Sequence, residues 1–309
     1  MTNDRPLLGI ALMLGFCAVI PLGDAIAKLL AARVPVAQIV FIRFAAQALL
    51  LVPLALALRL PLSVSRQVLP LLVVRTILQM GGIGAMFIAL KHLPLADAVA
   101  IAFVMPFIML LLGRYVLGEE VGLRRLAACA VGFAGTLLVI QPSFAEVGWH
   151  ALWPVAVAVI FALFMLITRK IAKHTDPIAV QALAGAMGTA MLAPVFLIGG
   201  ALGSTSFSLE LPPQDTWTLL AAAGALGTVA HLFMTWSLRF APAATLASMQ
   251  YLEIPMATFI GWLIFAELPN ALATAGIALT VAAGLYVVLR EHHTARAKAR
   301  VTPAAPPAA

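Results

Sequence analysis

Asp24 and Lys28, Arg43 and Gln47, and Arg75 and Gln79 each stand four positions apart inside runs that are otherwise apolar. On an α-helix that spacing places both side chains on one face, so each run carries one polar stripe. In an apolar setting such stripes can pair charges between helices, hydrogen-bond a polar solute or carry a proton. Asp24 and Arg43 fall toward the same end of neighbouring antiparallel segments, Arg75 and Glu253 lie comparably deep in theirs, and these are the expected pairs. A buried pair of this kind also serves packing alone. Lys28 lies near the edge of its run, where its long stem can return the ammonium to water.

The densest polar patch is Gln250-Tyr251-Leu252-Glu253-Ile254-Pro255. A proline removes a backbone donor and frees a carbonyl nearby. An amide, a phenol, a carboxylate and a freed carbonyl so close together make a candidate substrate or proton site; the alternative is a clamp on the kink. His231 is the one histidine inside an apolar run, open to a packing role or a proton relay. Trp236, Phe87, Phe103 and Phe107 offer faces to a planar solute, though aromatics at such positions also pack against neighbours. The candidate substrate-binding residues are Gln47, Arg75, Gln79, Trp236, Gln250, Tyr251 and Glu253. The candidate ion-pair or coupling residues are Asp24, Lys28, Arg43, His231 and Glu253. Glu119 and Glu267 sit at helix boundaries, where solvation or helix capping explains them. No cofactor, metal or catalytic residue is expected: the histidines are scattered, and Cys17 and Cys129 lie in apolar runs without metal-ligand spacing.

Such stripes need a scaffold immersed in lipid. The chain is 63% hydrophobic and 10% charged, with mean hydropathy +1.07, against about 25% charged residues in soluble domains. Breaking it at charges, prolines and polar clusters gives ten apolar segments, near 7–31, 36–58, 68–90, 95–116, 123–141, 150–171, 178–200, 216–238, 243–265 and 271–290. Each is about the 20 residues that a spanning helix needs and too long for a barrel strand. The expected fold is an all-α integral membrane protein. Leu7–Ile20 leads into Asp24 and Lys28 rather than a small-residue cleavage site, so it reads as the first span and not as a signal peptide.

With the N-terminus placed in the cytoplasm, fourteen basic residues fall inside: Arg5, Arg59, Arg66, Arg114, Arg124, Arg125, Arg169, Lys170, Lys173, Arg239, Arg290, Arg296, Lys298 and Arg300. Only Arg33 and Lys91 fall outside. The positive-inside rule therefore predicts both termini in the cytoplasm. It also accounts for the net charge of +7 through headgroup contact, so no nucleic-acid partner is expected.

The chain also says much the same thing twice. Ala89-Leu90-Lys91-His92-Leu93-Pro94-Leu95-Ala96 reads against Ser237-Leu238-Arg239-Phe240-Ala241-Pro242-Ala243-Ala244. At nearly the same offset Pro106 answers Pro255, and Gly118-Glu119 answers Ala266-Glu267. Five spans is an odd number, so the second half must run inverted. Arg114, Arg124 and Arg125 flank Glu119 whereas no basic residue flanks Glu267, as inversion requires. The expected organisation is a first repeat over 5–141, a second over 149–290, and a disordered basic cytoplasmic tail over 291–309, with the boundary at 141–148. Inverted repeats with polar residues at depth are a mark of secondary transporters.

The twofold pattern Pro94-Leu95-Ala96-Asp97-Ala98, Pro106, Gly118-Glu119, and then Pro242, Pro255, Glu267, resembles the drug/metabolite transporter superfamily, EamA type. The resemblance covers about residues 5–290 and includes the spacing of Lys28, Pro35 and Arg43; Ala266 departs from it, standing where a glycine is usual. It implies ten helices in two inverted five-helix repeats, a shared central cavity, alternating access and the bacterial cytoplasmic (inner) membrane. Pro21 to Lys28, Ala96 to Ile101 and Leu117 to Glu120 look most like bacterial riboflavin importers, and Tyr251-Leu252-Glu253 is similar to S-adenosylmethionine carriers. The expected function is thus a secondary transporter, with riboflavin uptake foremost and S-adenosylmethionine uptake or export of an amino acid or drug as alternatives. A membrane enzyme would need a catalytic cluster, and no HExxH or GxSxG sequence occurs. The expected partners are a small-molecule substrate and the lipid bilayer, with a homodimer as the candidate assembly.

Overall fold

The computed structural model describes residues 5–116, 123–172, 175–204, 206–207, 209–241, 246 and 249–301. Among them every regular element is helical. The α-helices are α1 (Pro6–Ala31), α2 (Val36–Ala57), α3 (Val68–Leu90), α4 (Leu95–Ala102), α5 (Met105–Val116), α6 (Leu123–Val147), α7 (Trp153–Ala172), α8 (Pro177–Ala201), α9 (Trp217–Phe240), α10 (Glu253–Phe265) and α11 (Ala271–Val301). Six stretches of described helix are long and apolar enough to cross a membrane, and one of them, Leu126–Ala172, contains both α6 and α7. Leu95–Met109, across the end of α4 and the start of α5, and Ala271–Tyr286, within α11, are shorter apolar helical stretches. Gly118, Glu119 and Pro242, landmarks of the internal repetition, lie outside the described residues.

Local chemistry sets the helix ends. Pro6 opens α1 and Pro177 opens α8, where a missing N–H costs nothing. Asp176 caps α8 by accepting from the Ile178 N–H at 2.8 Å. α10 closes on Ala266 in the left-handed region, φ 54°, a position that favours glycine.

Two stretches differ from expectation. The segment 95–116 is not one helix: it breaks at Phe103–Val104, and α5 resumes with Pro106 as its second residue. Near the expected boundary α6 runs up to Val147 and the chain turns at Gly148, φ 64°. The tail expected to be disordered continues α11 as far as Val301, because Ala, Glu, Lys and Arg are strong helix formers. Residues 302–309 lie outside the described residues.

The halves hold each other. With α4–α5 taken as one segment, the first segment of each half packs on the third of the other: α1 on α9 and α7 on α3. The second packs on the second (α2 on α8), the fourth on the fourth (α4 on α10) and the fifth on the fifth (α6 on α11). Exchanging the halves leaves this pattern unchanged. Small residues permit the approach, as expected where lipid offers no hydrophobic drive between helices. Gly135 on α6 meets the backbone of Gly276 on α11, and Thr280 Oγ1 donates to the Gly132 carbonyl at 3.2 Å. The buried core forms two large clusters. One gathers around Leu30, Leu90, Leu95 and Ile254, the other around Met13, Met105, Phe164 and Met234.

Candidate substrate cavity

A cavity opens where the two clusters meet. Its wall is drawn from both halves: Phe16, Ile20 and Asp24 on α1, Arg43 on α2, Met86 and Phe87 on α3, Phe161 on α7, and His231 on α9. Two interruptions of regular α-helix face it, the turn between α4 and α5 and the 3-10 turn before α10. Phe103 and Met105 come from the α4–α5 break, and Gln250 and Glu253 come from the 3-10 turn Gln250–Leu252 that leads into α10. Each break is followed by a proline in the first turn of the resuming helix, Pro106 and Pro255. Irregular backbone at membrane depth is tolerated where it lines a cavity, and discontinuous helices at matching places in two halves are where transporters bind substrate.

The polar side chains here are buried and incompletely bonded. Arg43 lies against Gly227, where a Cβ would occupy the guanidinium's place, and 5.8 Å over the Phe87 ring. Its Nη1 has no hydrogen-bond partner among the described residues. His231 Nδ1 lies 2.9 Å from the Gly227 carbonyl. A carbonyl only accepts, so Nδ1 carries the proton and Nε2 of the neutral ring is an acceptor; it too is unpartnered among the described residues. The same holds for both ends of the Gln250 amide. Asp24 and Glu253 bring two carboxyls to the same space. Phe16, Phe161 and Phe164 meet the His231 ring edge-on, with centroids 6.0–6.5 Å away.

The cavity thus gathers five polar sequence candidates, Asp24, Arg43, His231, Gln250 and Glu253, and two of the aromatic ones, Phe87 and Phe103. Asp24 and Arg43 share the space without a direct salt bridge among the described residues. The other candidates serve neighbouring contacts. Gln47 Nε2 donates to Gln181 Oε1 at 3.0 Å, and Gln181 Nε2 donates on to Thr235 Oγ1 at 2.8 Å, tying α2, α8 and α9 together. Arg75 does not meet Glu253. Its Nε donates to Thr168 Oγ1 at 2.9 Å, its Nη1 to Gln79 Oε1 at 3.3 Å, and it lies 4.6 Å over Phe164. Depth along a helix allowed that pairing, but α3 turns Arg75 toward α7. Tyr251 packs against Gly132, Gly284 and the Phe103 ring, and Trp236 against the cluster around Leu51 and Ala182.

Lys28 belongs to a separate cluster at one end of the molecule. Its Nζ lies 2.7 Å from Glu267 Oε1 and Oε2 and donates to the Leu93 carbonyl at 3.1 Å. At the other end Arg169 donates to the Leu238 carbonyl, and Arg239 pairs with Asp176 at 3.6 Å. Lys28 and Arg169 each stand three residues before the end of the first helix of their half. Sequence reasoning missed Glu267 as Lys28's partner, and it missed Phe16 and Phe161 as wall residues. A phenylalanine in an apolar span gives no signal of which way it faces.

The profile of the EamA-like transporter family matches this chain twice, over residues 7–141 and 148–290. A riboflavin transporter of Rhizobium johnstonii is 32% identical over 219 residues, 70% of this chain and 69% of that protein. One from Brucella anthropi is 28% identical over 224 residues, covering 72% and 78%. A pseudopaline exporter of Pseudomonas aeruginosa is 29% identical over 263 residues, covering 84% and 88%. A solved crystal structure, 23% identical, superposes with a TM-score of 0.67 over 94% of this chain and 100% of its own.

Proposed function

The chain belongs to the EamA-like transporter family, and from that premise we propose a secondary carrier that imports riboflavin across the bacterial cytoplasmic membrane by alternating access. The observation that carries this reading is the cavity itself. It is walled by aromatic rings, set between two helix breaks, and furnished with unpartnered neutral and cationic hydrogen-bonding atoms. Riboflavin is uncharged, with a flat ring system for the phenylalanine faces and a hydroxylated chain for the polar groups. Relatives named riboflavin transporters support the same substrate.

In this reading ten spans form two inverted five-helix repeats with both termini in the cytoplasm, and α4–α5 together make the fourth span. The exchange-invariant packing of the halves supports it. No enzymatic step is part of it. A second reading, S-adenosylmethionine uptake, draws on the carboxyls of Asp24 and Glu253, which suit a sulfonium cation, and on relatives named for that activity. The test is complementation of a riboflavin-auxotrophic bacterium at limiting riboflavin. Growth is expected. No growth, with the protein shown to be in the membrane, and accumulation of labelled S-adenosylmethionine instead would select the second reading.

A further inference from the structure

Gln250 is fully buried, yet neither its amide nitrogen nor its amide oxygen has a hydrogen-bond partner among the described residues. Native proteins leave few such groups, and a buried one calls for a partner. An open primary amide presents a donor and an acceptor side by side. Its complement is the O=C–N–H edge of a lactam or imide, met by two parallel hydrogen bonds. Arg43 adds a second open donor, Nη1, in the same cavity, where Gly227 and the Phe87 ring hold its guanidinium. Donor, acceptor and a further donor together match an acceptor–donor–acceptor edge.

We propose that the cavity selects its substrate by a neutral imide edge, O=C–NH–C=O, on a planar heterocycle. Gln250 takes one carbonyl and the ring N–H, and Arg43 takes the other carbonyl. A carboxylate ligand would satisfy Arg43 but set an anion against the Gln250 oxygen and beside Asp24 and Glu253. A cationic ligand would meet Arg43. The neutral edge avoids both conflicts. The inference deepens the carrier reading above and rests on it, since the flavin ring carries such an edge.

The experiment measures binding to purified protein in micelles, comparing riboflavin with 3-methylriboflavin, in which the imide proton is replaced by a methyl group. Wild type is expected to bind the methylated form about 5–150-fold more weakly, the range for losing one bidentate contact. Gln250→Leu is expected to bind both forms weakly and alike. Equal binding of the two by wild type overturns the proposal without relying on any variant, and so does undiminished discrimination in folded Gln250→Leu. If riboflavin does not bind, the same comparison is made with uridine and 3-methyluridine. Discrimination there overturns the flavin assignment and keeps the imide edge; its absence overturns both.

Discussion

Lys28 and Glu267 are 239 positions apart, and the lysine ammonium rests 2.7 Å from both oxygens of the glutamate. One of those oxygens also accepts from the Leu95 N–H at 3.3 Å. A single carboxylate therefore joins the end of α1 to the start of α4 and caps α4 from the opposite half of the chain.

Side-chain exposures of 16% and 31% place this pair between a surface bridge and a fully buried one. A double-mutant cycle of Lys28→Met and Glu267→Gln, followed by thermal unfolding in detergent, should give a coupling of about 1–2 kcal/mol. Glu267→Ala should cost about 1 kcal/mol beyond Lys28→Met because the α4 cap goes with it. A coupling near zero would show that the contact holds nothing.

Glu253→Gln keeps shape and hydrogen bonding while removing the charge. Membrane insertion should be normal and riboflavin accumulation should fall at least about tenfold, the weight of one interaction with a charged group. Accumulation at the wild-type level removes Glu253 from the mechanism. Because Arg75 bonds to Thr168 and Gln79, its stability loss on Arg75→Gln should add to that of Glu253→Gln within about 0.5 kcal/mol.

Ala266 holds a left-handed backbone, φ 54°, at a cost to an alanine of about 1–2 kcal/mol. Ala266→Gly should therefore stabilise the protein by about 1 kcal/mol, read as a raised midpoint of thermal unfolding. A lowered midpoint contradicts the assigned backbone.

His92, in the turn between α3 and α4, has its ring centroid 3.9 Å from that of His150. Its pKa is lowered from 6.5, first by loss of hydration and then by the neighbouring His150 and Lys91. A base with a depressed folded pKa adds stability above its unfolded pKa and loses it as pH falls. Stability should therefore decline as pH drops below about 6.5, and His92→Gln should flatten that decline. An unchanged acid limb in the variant would rule out the pair as its source.

The orientation is open to a direct reading. A reporter fused after Arg290 should be active only as a cytoplasmic tag, and one inserted at Ser204 only as a periplasmic one. Both reporting the same side would break the inverted arrangement.

Asp24, Arg43, His231, Gln250 and Glu253 were legible in the sequence because polar groups inside apolar runs stand out, and all five reach the cavity. The same signal also marked Gln47 and Arg75, which bond across to α8 and α7, and Gln79, which accepts from Arg75 one turn earlier on α3. Spacing by four fixes a shared face, but the rotation of the whole helix decides what that face meets. The packing partner of α3 is α7, far along the chain, so nothing near Arg75 announced Thr168. The break at Phe103 was hidden for another reason: Pro106 is as much at home in a first helical turn as in a kink, and the letters do not say which.

The dependence of each half on the other also shapes how the protein must be made. Arg43 is synthesised well before Gly227, the residue that gives its guanidinium room. At about 5–20 residues per second, the interval is roughly ten to forty seconds. For most of it α2 has neither α8 nor α9 to lean on. Membrane insertion must therefore run ahead of assembly, with an early arginine waiting at the headgroups or in the insertion machinery for a helix that the ribosome has not yet written.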